Sequence, residues 1–321
     1  MNILVLGAGA IVSAFGGFLA KSGNRVILYG RENCVSAINN GGLFIQGIWG
    51  SHHITNIKGY SSLSKIARHE GRQFDLILLT VKSYDTESVM HNYLNTFGKS
   101  NLTVSLQNGL GNLEIIAGLL GREKTIGGRV IFGAELLEPG VVKITVYADK
   151  VVLGALKGGV PVEKVKEISA LFDRAGIPTA WTDEIEKYLW GKVLYNSALN
   201  ALSCLLEVNY GKLLENDYTR SLMEDIVGEL FTVIKGQHVS VDWENAGAYT
   251  AHLFSELIPP TRDHFSSMLQ DISRGRTTEI GFINGAVVEK GRLHGIPTPY
   301  NAFIVDLIRF RESLSERRDH P

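Results

Sequence analysis

Lys192, Asn196 and Asn200 stand at i, i+4 and i+8 in a Pro-free stretch, Glu186 to Leu206. A helix places them on one stripe. An amine there can polarise a carbonyl oxygen and give up a proton. Two carboxamides can hold a small polar ligand without adding charge. By themselves a Lys and two Asn on a helix describe a solvated face more often than a site, so their surroundings decide.

A second group is built for an anion. Asn2 to Leu6 is a short apolar run, followed by Gly7, Ala8, Gly9, Ala10, Ile11 and Val12, and then by a helical pattern to Ser22. Arg25 to Tyr29 reads as the next strand. This is a βαβ unit with its glycine turn between strand and helix, where backbone approaches a pyrophosphate and the helix N-terminus faces it. The third glycine of that fingerprint is replaced by Val12. Gly16 and Gly17, one turn later, offer another point of close helix approach. At the tip of the second strand Arg31 precedes Glu32. An Arg suits a 2′-phosphate and an acid suits ribose hydroxyls, so the pair favours NADPH over NADH.

Other candidates lie at strand ends. Phe74 to Val81 is a buried strand that ends in Lys82, placed to meet phosphate or substrate. Leu102 to Leu106 leads into Gln107-Asn108-Gly109-Leu110-Gly111-Asn112, where Asn108 can touch the nicotinamide or the substrate. In the second half Ser267 reads either as a helix cap or as a substrate contact, and Glu279 as the start of a helix. His52 and His53 are adjacent and point to opposite faces of a strand, so they make a poor metal pair. No metal site is expected.

The elements that must position these residues change character along the chain. Strands and helices alternate through the first part. It includes a hairpin over residues 40 to 58, strand patterns at Thr125–Phe132, Val141–Val146 and Lys150–Leu153, a helix from Val162 to Ala175, and a last strand-like piece at Thr179–Trp181. After that only helical periods remain: Glu186–Leu206, Tyr218–Gln237, Trp243–Glu256, Ser267–Arg274, Thr278–His294 and Tyr300–Arg317, with a charged tail from Arg311 expected to fray. The fold class is α/β: a Rossmann-type dinucleotide-binding domain over 1–181, then an all-α substrate domain over 182–321. A cleft between two such domains is a common ligand site. The chain of 321 residues is 45% hydrophobic and 20% charged, with a net charge of −1. No strong field points to nucleic acid or a membrane surface. Two Cys make no framework, no apolar run is long enough to span a bilayer, and no leader pattern precedes the first strand. A cytoplasmic location is expected, and the oligomeric state is open between monomer and homodimer.

In order and spacing these segments resemble the ketopantoate reductase (2-dehydropantoate 2-reductase) family, within the 6-phosphogluconate dehydrogenase-like superfamily, over nearly the whole chain. The markers are Gly7-Ala8-Gly9-Ala10, Val81-Lys82-Ser83, the 107–112 segment, Trp190-Gly191-Lys192 through Asn200, Ser266 to Asp271, and Thr278 through Gly285. The resemblance implies NADPH-dependent reduction of a small 2-oxo acid in pantothenate synthesis. It implies Lys192 as the catalytic lysine with Glu279 as its acidic partner, and Asn108, Asn196, Asn200 and Ser267 as substrate contacts. The Gly7–Val12 turn, Arg31, Lys82, Asn108 and Glu279 would meet the cofactor. Val12 departs from the pattern, and so does His264, where another form of the family carries an Asn near the substrate. Those departures keep three alternatives in view: a reductase of a different 2-oxo acid, an opine-type dehydrogenase, and a non-catalytic NADP-binding sensor.

Overall fold

The computed structural model describes residues 1–7, 9–99 and 101–316. Ala8 therefore lies outside the described residues. Two compact units are present: residues 1–107 with 112–185, and residues 108–111 with 186 onward. The division falls after Ile185 rather than after 181, because the strand Thr179–Thr182 still completes the first unit's sheet.

The strands of the first unit, in chain order, are β1 (Asn2–Leu6), β2 (Arg25–Tyr29), β3 (Leu43–Gly47), β4 (His52–Ile54), β5 (Ile57–Tyr60) and β6 (Leu76–Leu79). They continue as β7 (Leu102–Ser105), β8 (Thr125–Arg129), β9 (Phe132–Glu138), β10 (Val141–Tyr147), β11 (Val151–Ala155) and β12 (Thr179–Thr182). Its helices are α1 (Ala10–Lys21), α2 (Glu32–Gly41), α3 (Leu63–His69), α4 (Thr86–Phe97), α5 (Asn112–Leu120) and α6 (Val162–Arg174).

Eight strands form one sheet in the order β12-β11-β8-β7-β6-β1-β2-β5, parallel except where β11 runs against β8. Period two sorts the side chains of β1. Ile3 and Val5 join the core that contains Phe15 and Phe18 of α1 and Phe172 of α6. Leu4 and Leu6 join the core on the other face, with Ile66, Met90 and Ile116 of α3, α4 and α5. Both faces are covered, which is why these strands read as continuous apolar runs. The strand order reverses at β1, with β2 on one side and β6 on the other. Ligands bind such sheets beyond the carboxyl ends of those strands.

Several expectations are corrected. The expected hairpin ends at β4, which pairs antiparallel with β3. Ile57 and Lys58 leave it and pair in parallel with β2. The expected strand Thr125–Phe132 splits into β8 and the start of β9. With β10, strands β9, β3 and β4 form a second sheet of four strands, which packs on α1 through pairs such as Phe15–Phe132 and Phe18–Trp49. His52 shares a hydrogen bond with Lys21 Nζ at 2.9 Å, and His53 stacks on Phe44. Both are structural.

The second unit contains helices and no strand among its described residues: α7 (Ile185–Leu206, whose first residue belongs to the first unit), α8 (Tyr210–Leu214), α9 (Asp217–Gly236), α10 (Ala246–His252), α11 (Ser267–Ser273), α12 (Asn284–Leu293) and α13 (Pro299–Glu316). The expected helix from Trp243 starts later, because the Asn245 side chain accepts from Ala248 N and caps it. After α10 the chain makes a π turn, Leu253–Leu257. The expected helix Thr278–His294 is two pieces, a 3-10 turn Ile280–Phe282 and α12. Arg311, expected to fray, lies inside α13 and donates to Cys204 O at 2.6 Å and to Glu207 Oε1 at 2.6 Å. It satisfies a carbonyl orphaned at the end of α7. Residues 317–321 lie outside the described residues.

Candidate active site

In the first unit the glycine turn follows β1. Gly7 has φ +133, and a Cβ there would lie 2.7 Å from Thr80 Oγ1, so no other residue fits. Gly9 has nothing within 4 Å of the position a Cβ would take. It is the N-cap of α1 and carries no side-chain cap bond. Among the described residues no side chain accepts from the first N–H groups of α1, and the Cβ position of Gly9 beside them is open. A twelve-residue helix with an uncapped start beside a bare glycine fits a pyrophosphate.

Val12 is buried in the core. The close helix approach falls instead on Gly16, where a Cβ would meet Leu28 at 3.0 Å, and on Gly17, where it would meet Ile45 at 2.6 Å. Arg31 is the N-cap residue of α2 with an exposed side chain. Glu32, the rival acid, accepts hydrogen bonds from Ser36 Oγ and from Ser61 Oγ. Those bonds, Ser61 first, hold its carboxyl below the usual range. Lys82 is half-buried at the carboxyl end of β6, as N-cap of the turn Ser83–Asp85.

The 107–112 segment divides its labour. Gln107 Nε2 donates to Val81 O and to Thr86 Oγ1, while Asn112 accepts from Thr86 Oγ1 and donates to Ser83 Oγ. These two are staples of the first unit. Asn108 to Gly111 group with the second. Gly109 has φ +81, and a Cβ there would lie 2.2 Å from Phe282 O. Leu110 N donates to that same carbonyl at 2.8 Å.

This turn presents Asn108 to the chemistry-bearing residues of the second unit. Lys192 Nζ donates to Asn108 Oδ1 at 2.6 Å, and Asn108 Nδ2 donates to Glu279 Oε2 at 3.0 Å. Ammonium, carboxamide and carboxylate form one chain, and its two charged ends fix which way the amide points. Glu279 does not begin a helix. It caps the 3-10 turn, its own carbonyl accepting from Phe282 N and Ile283 N, and it is only 6% exposed. Thr278 N donates to Glu312 Oε1 at 2.6 Å and anchors the turn to α13. One turn beyond Lys192, Ser197 O accepts from Asn284 Nδ2, which also donates to Asn301 Oδ1. Asn301 in turn donates to Glu229. This buried polar chain joins α7, α12, α13 and α9, and so holds the start of α12, just after the Glu279 turn, against α7.

Exposure falls along the stripe, from half-buried Lys192 to Asn196 at 8% and Asn200 at 4%. The Asn196 side chain has no hydrogen bond among the described residues. Asn200 Oδ1 accepts from Tyr210 OH at 2.7 Å. Neither carboxamide holds a sealed polar atom without a hydrogen bond, as Ser197 Oγ, Tyr249 OH and Asn284 Oδ1 are among the described residues, so both carboxamides still reach solvent. Ser267 is exposed at the start of α11. The cap is Ser266, whose Oγ accepts from Leu269 N at 3.1 Å, which corrects the capping alternative for Ser267. His264 is half-buried with its ring 5.3 Å from that of Tyr210. Sequence reading missed Tyr210 and its short helix. The signal was Asn209, whose side chain accepts from Lys212 N and caps α8.

A doubly wound sheet with a glycine turn, followed by a helical unit that bears a lysine and an acid, is the layout of dinucleotide-binding oxidoreductases. Comparison with known proteins narrows the class. The model of ketopantoate reductase PanE/ApbA matches residues 3–158, and that of its C-terminal part matches residues 184–312. The chain belongs to the ketopantoate reductase family. It is 38% identical over 312 residues to the 2-dehydropantoate 2-reductase of Aquifex aeolicus, covering 97% of each. Among solved structures it is similar to a PanE/ApbA family ketopantoate reductase from Ralstonia eutropha JMP134, with TM-score 0.87, 29% identity, and coverage of 98% of this chain and 100% of that one. D-mandelate dehydrogenase, in a ternary structure with NADH and anilino(oxo)acetate, is as near by the same four measures.

Proposed function

We propose that this chain is an NADPH-dependent 2-dehydropantoate 2-reductase, which reduces ketopantoate to pantoate in the route to pantothenate. The observation that carries the reading is the hydrogen-bonded chain Lys192–Asn108–Glu279 beside the carboxamides of Asn196 and Asn200. Full-length identity to curated reductases supports it. The Gly7–Val12 turn would hold the pyrophosphate, Arg31 the 2′-phosphate, and Lys82 a further phosphate or the substrate. Bound there, the dinucleotide supplies the hydride.

The chain's own residues supply the rest. Reduction of a ketone builds negative charge on its oxygen. The Lys192 ammonium stabilises that charge and gives its proton to the alkoxide. Asn108 holds Nζ in position from one side, and the buried Glu279 holds Asn108. Asn196 and Asn200 offer N–H donors to the substrate carboxylate and carbonyl. Ser267, exposed at the start of α11, adds a hydroxyl. The partner is thus a small 2-oxo acid.

The test follows NADPH absorbance with ketopantoate and a panel of 2-oxo acids, repeated with NADH. Wild type should turn over ketopantoate best, and with NADPH. Lys192→Ala should lower kcat by about 100-fold or more, the scale of a lost proton donor. Near-normal turnover by that variant would remove Lys192 from the chemistry. The likeness to D-mandelate dehydrogenase favours a second reading. A preference for aromatic 2-oxo acids with NADH would replace the first reading with it.

A further inference from the structure

We propose that Tyr210 is a positioning residue: its phenol locks the Asn200 carboxamide so that Nδ2, not Oδ1, faces the substrate. This rests on the reading of Asn200 as a substrate contact. Tyr210 opens α8 and is buried. Its hydroxyl donates to Asn200 Oδ1 at 2.7 Å and has no other hydrogen bond among the described residues. Were the amide turned over, the phenol hydrogen would be left in the core without an acceptor, which is costly.

The ring cannot swing away to relieve that. It packs edge-on against Tyr195, with centroids 5.9 Å apart, and Tyr195 is held by Thr261 Oγ1 at 2.9 Å. His264 flanks it at 5.3 Å. The backbone is held as well, with Tyr210 N donating to His264 O and Gly211 N to Arg262 O. Burial pushes the phenol well above its ordinary pKa, so it remains a donor at any working pH.

The consequence is a stripe of one polarity. Lys192 contributes an ammonium, Asn200 an NH2 group whose oxygen already accepts from Tyr210, and Asn196 a carboxamide that, among the described residues, has no hydrogen bond and can turn its NH2 the same way. A ligand made only of acceptors, a carbonyl beside a carboxylate, complements it. A 2-oxo amide, which carries donors, does not.

The experiment compares the best 2-oxo acid of the panel with its primary amide in wild type, Tyr210→Phe and Asn200→Ala. The phenylalanine keeps the ring packing, and thermal unfolding checks that the fold is kept. Tyr210→Phe should raise KM for the acid about tenfold, the scale of one hydrogen bond. It should leave KM for the nucleotide unchanged and shrink the preference for acid over amide. In an Asn200→Ala background it should add nothing further. Equal changes for acid and amide would show a packing role only and overturn the proposal. So would an unchanged KM in Tyr210→Phe alongside a raised KM in Asn200→Ala. If Asn200→Ala itself leaves KM unchanged, the substrate-contact reading fails, and the positioning role falls with it.

Discussion

Arg31 and Glu32 pull in opposite directions on a 2′-phosphate, and adjacent residues of opposite charge leave the cofactor ambiguous. Glu32 is taken up by two serine hydroxyls, from Ser36 on its own helix and Ser61 beyond β5. It remains ionised, and each of its oxygens already accepts one of those bonds. Arg31, by contrast, keeps an exposed guanidinium. The proposed NADPH preference therefore has a residue-level consequence. Arg31→Ala should weaken NADPH binding about tenfold or more, the scale of a charged hydrogen bond, with NADH nearly unaffected. Titration of nucleotide fluorescence measures both, and equal losses would remove Arg31 from the 2′-phosphate.

At the scale of elements, α1 shows how a broken motif is repaired. With valine at position 12 the helix fills core there, and its bare side is moved to Gly16 and Gly17. Gly17 is the tighter, since a Cβ would also lie 2.8 Å from Leu43 of β3. Gly17→Val should therefore lower the unfolding free energy by about 1–3 kcal/mol, the usual cost of overpacking. Urea unfolding reads it, and an unchanged midpoint would show that β3 gives way freely. The pattern over α7 was legible in sequence almost to the residue, because a long Pro-free amphipathic run has few alternatives. Residues 278–294 were not. Their apolar spacing is helical throughout, but Glu279 and Thr278 are held by tertiary partners that interrupt it.

For the whole molecule, acid stability has an identifiable source. Glu70, at the end of α3, accepts from Arg25 of β2 and from Tyr60 of β5, with Lys58 at 3.4 Å. Burial alone would raise its pKa; the Tyr60 and Arg25 hydrogen bonds and the nearby cations outweigh that and lower it. A carboxyl lowered on folding contributes stability above its unfolded pKa, and that stability drains as pH falls through the folded value. Thermal midpoints should thus drop as pH falls below about 4.5, the ordinary glutamate value. Glu70→Gln should flatten that limb, and a limb of unchanged slope would place the acid sensitivity elsewhere. Tyr60 is raised to about 12, by burial first and Glu70 second, so its share is kept at neutral pH and lost only as pH rises from 10 towards 12.

By itself the sequence determined the α/β-to-helical order, the glycine turn after β1 and the stripe on α7, all of which follow from local periodicity and backbone sterics. Its family markers named the candidate residues. Tertiary structure alone decided which of them meet. Asn108 lies far along the chain from Lys192 and Glu279, and only the left-handed turn at Gly109 against Phe282 O sets its amide between them. Asn209 marks the start of the short helix that Tyr210 opens, but nothing local to Tyr210 places its hydroxyl on Asn200. The cap at Ser266 rather than Ser267 likewise depends on where α11 begins. Periodicity reports which face of an element is buried. It does not report which distant side chain lies against that face.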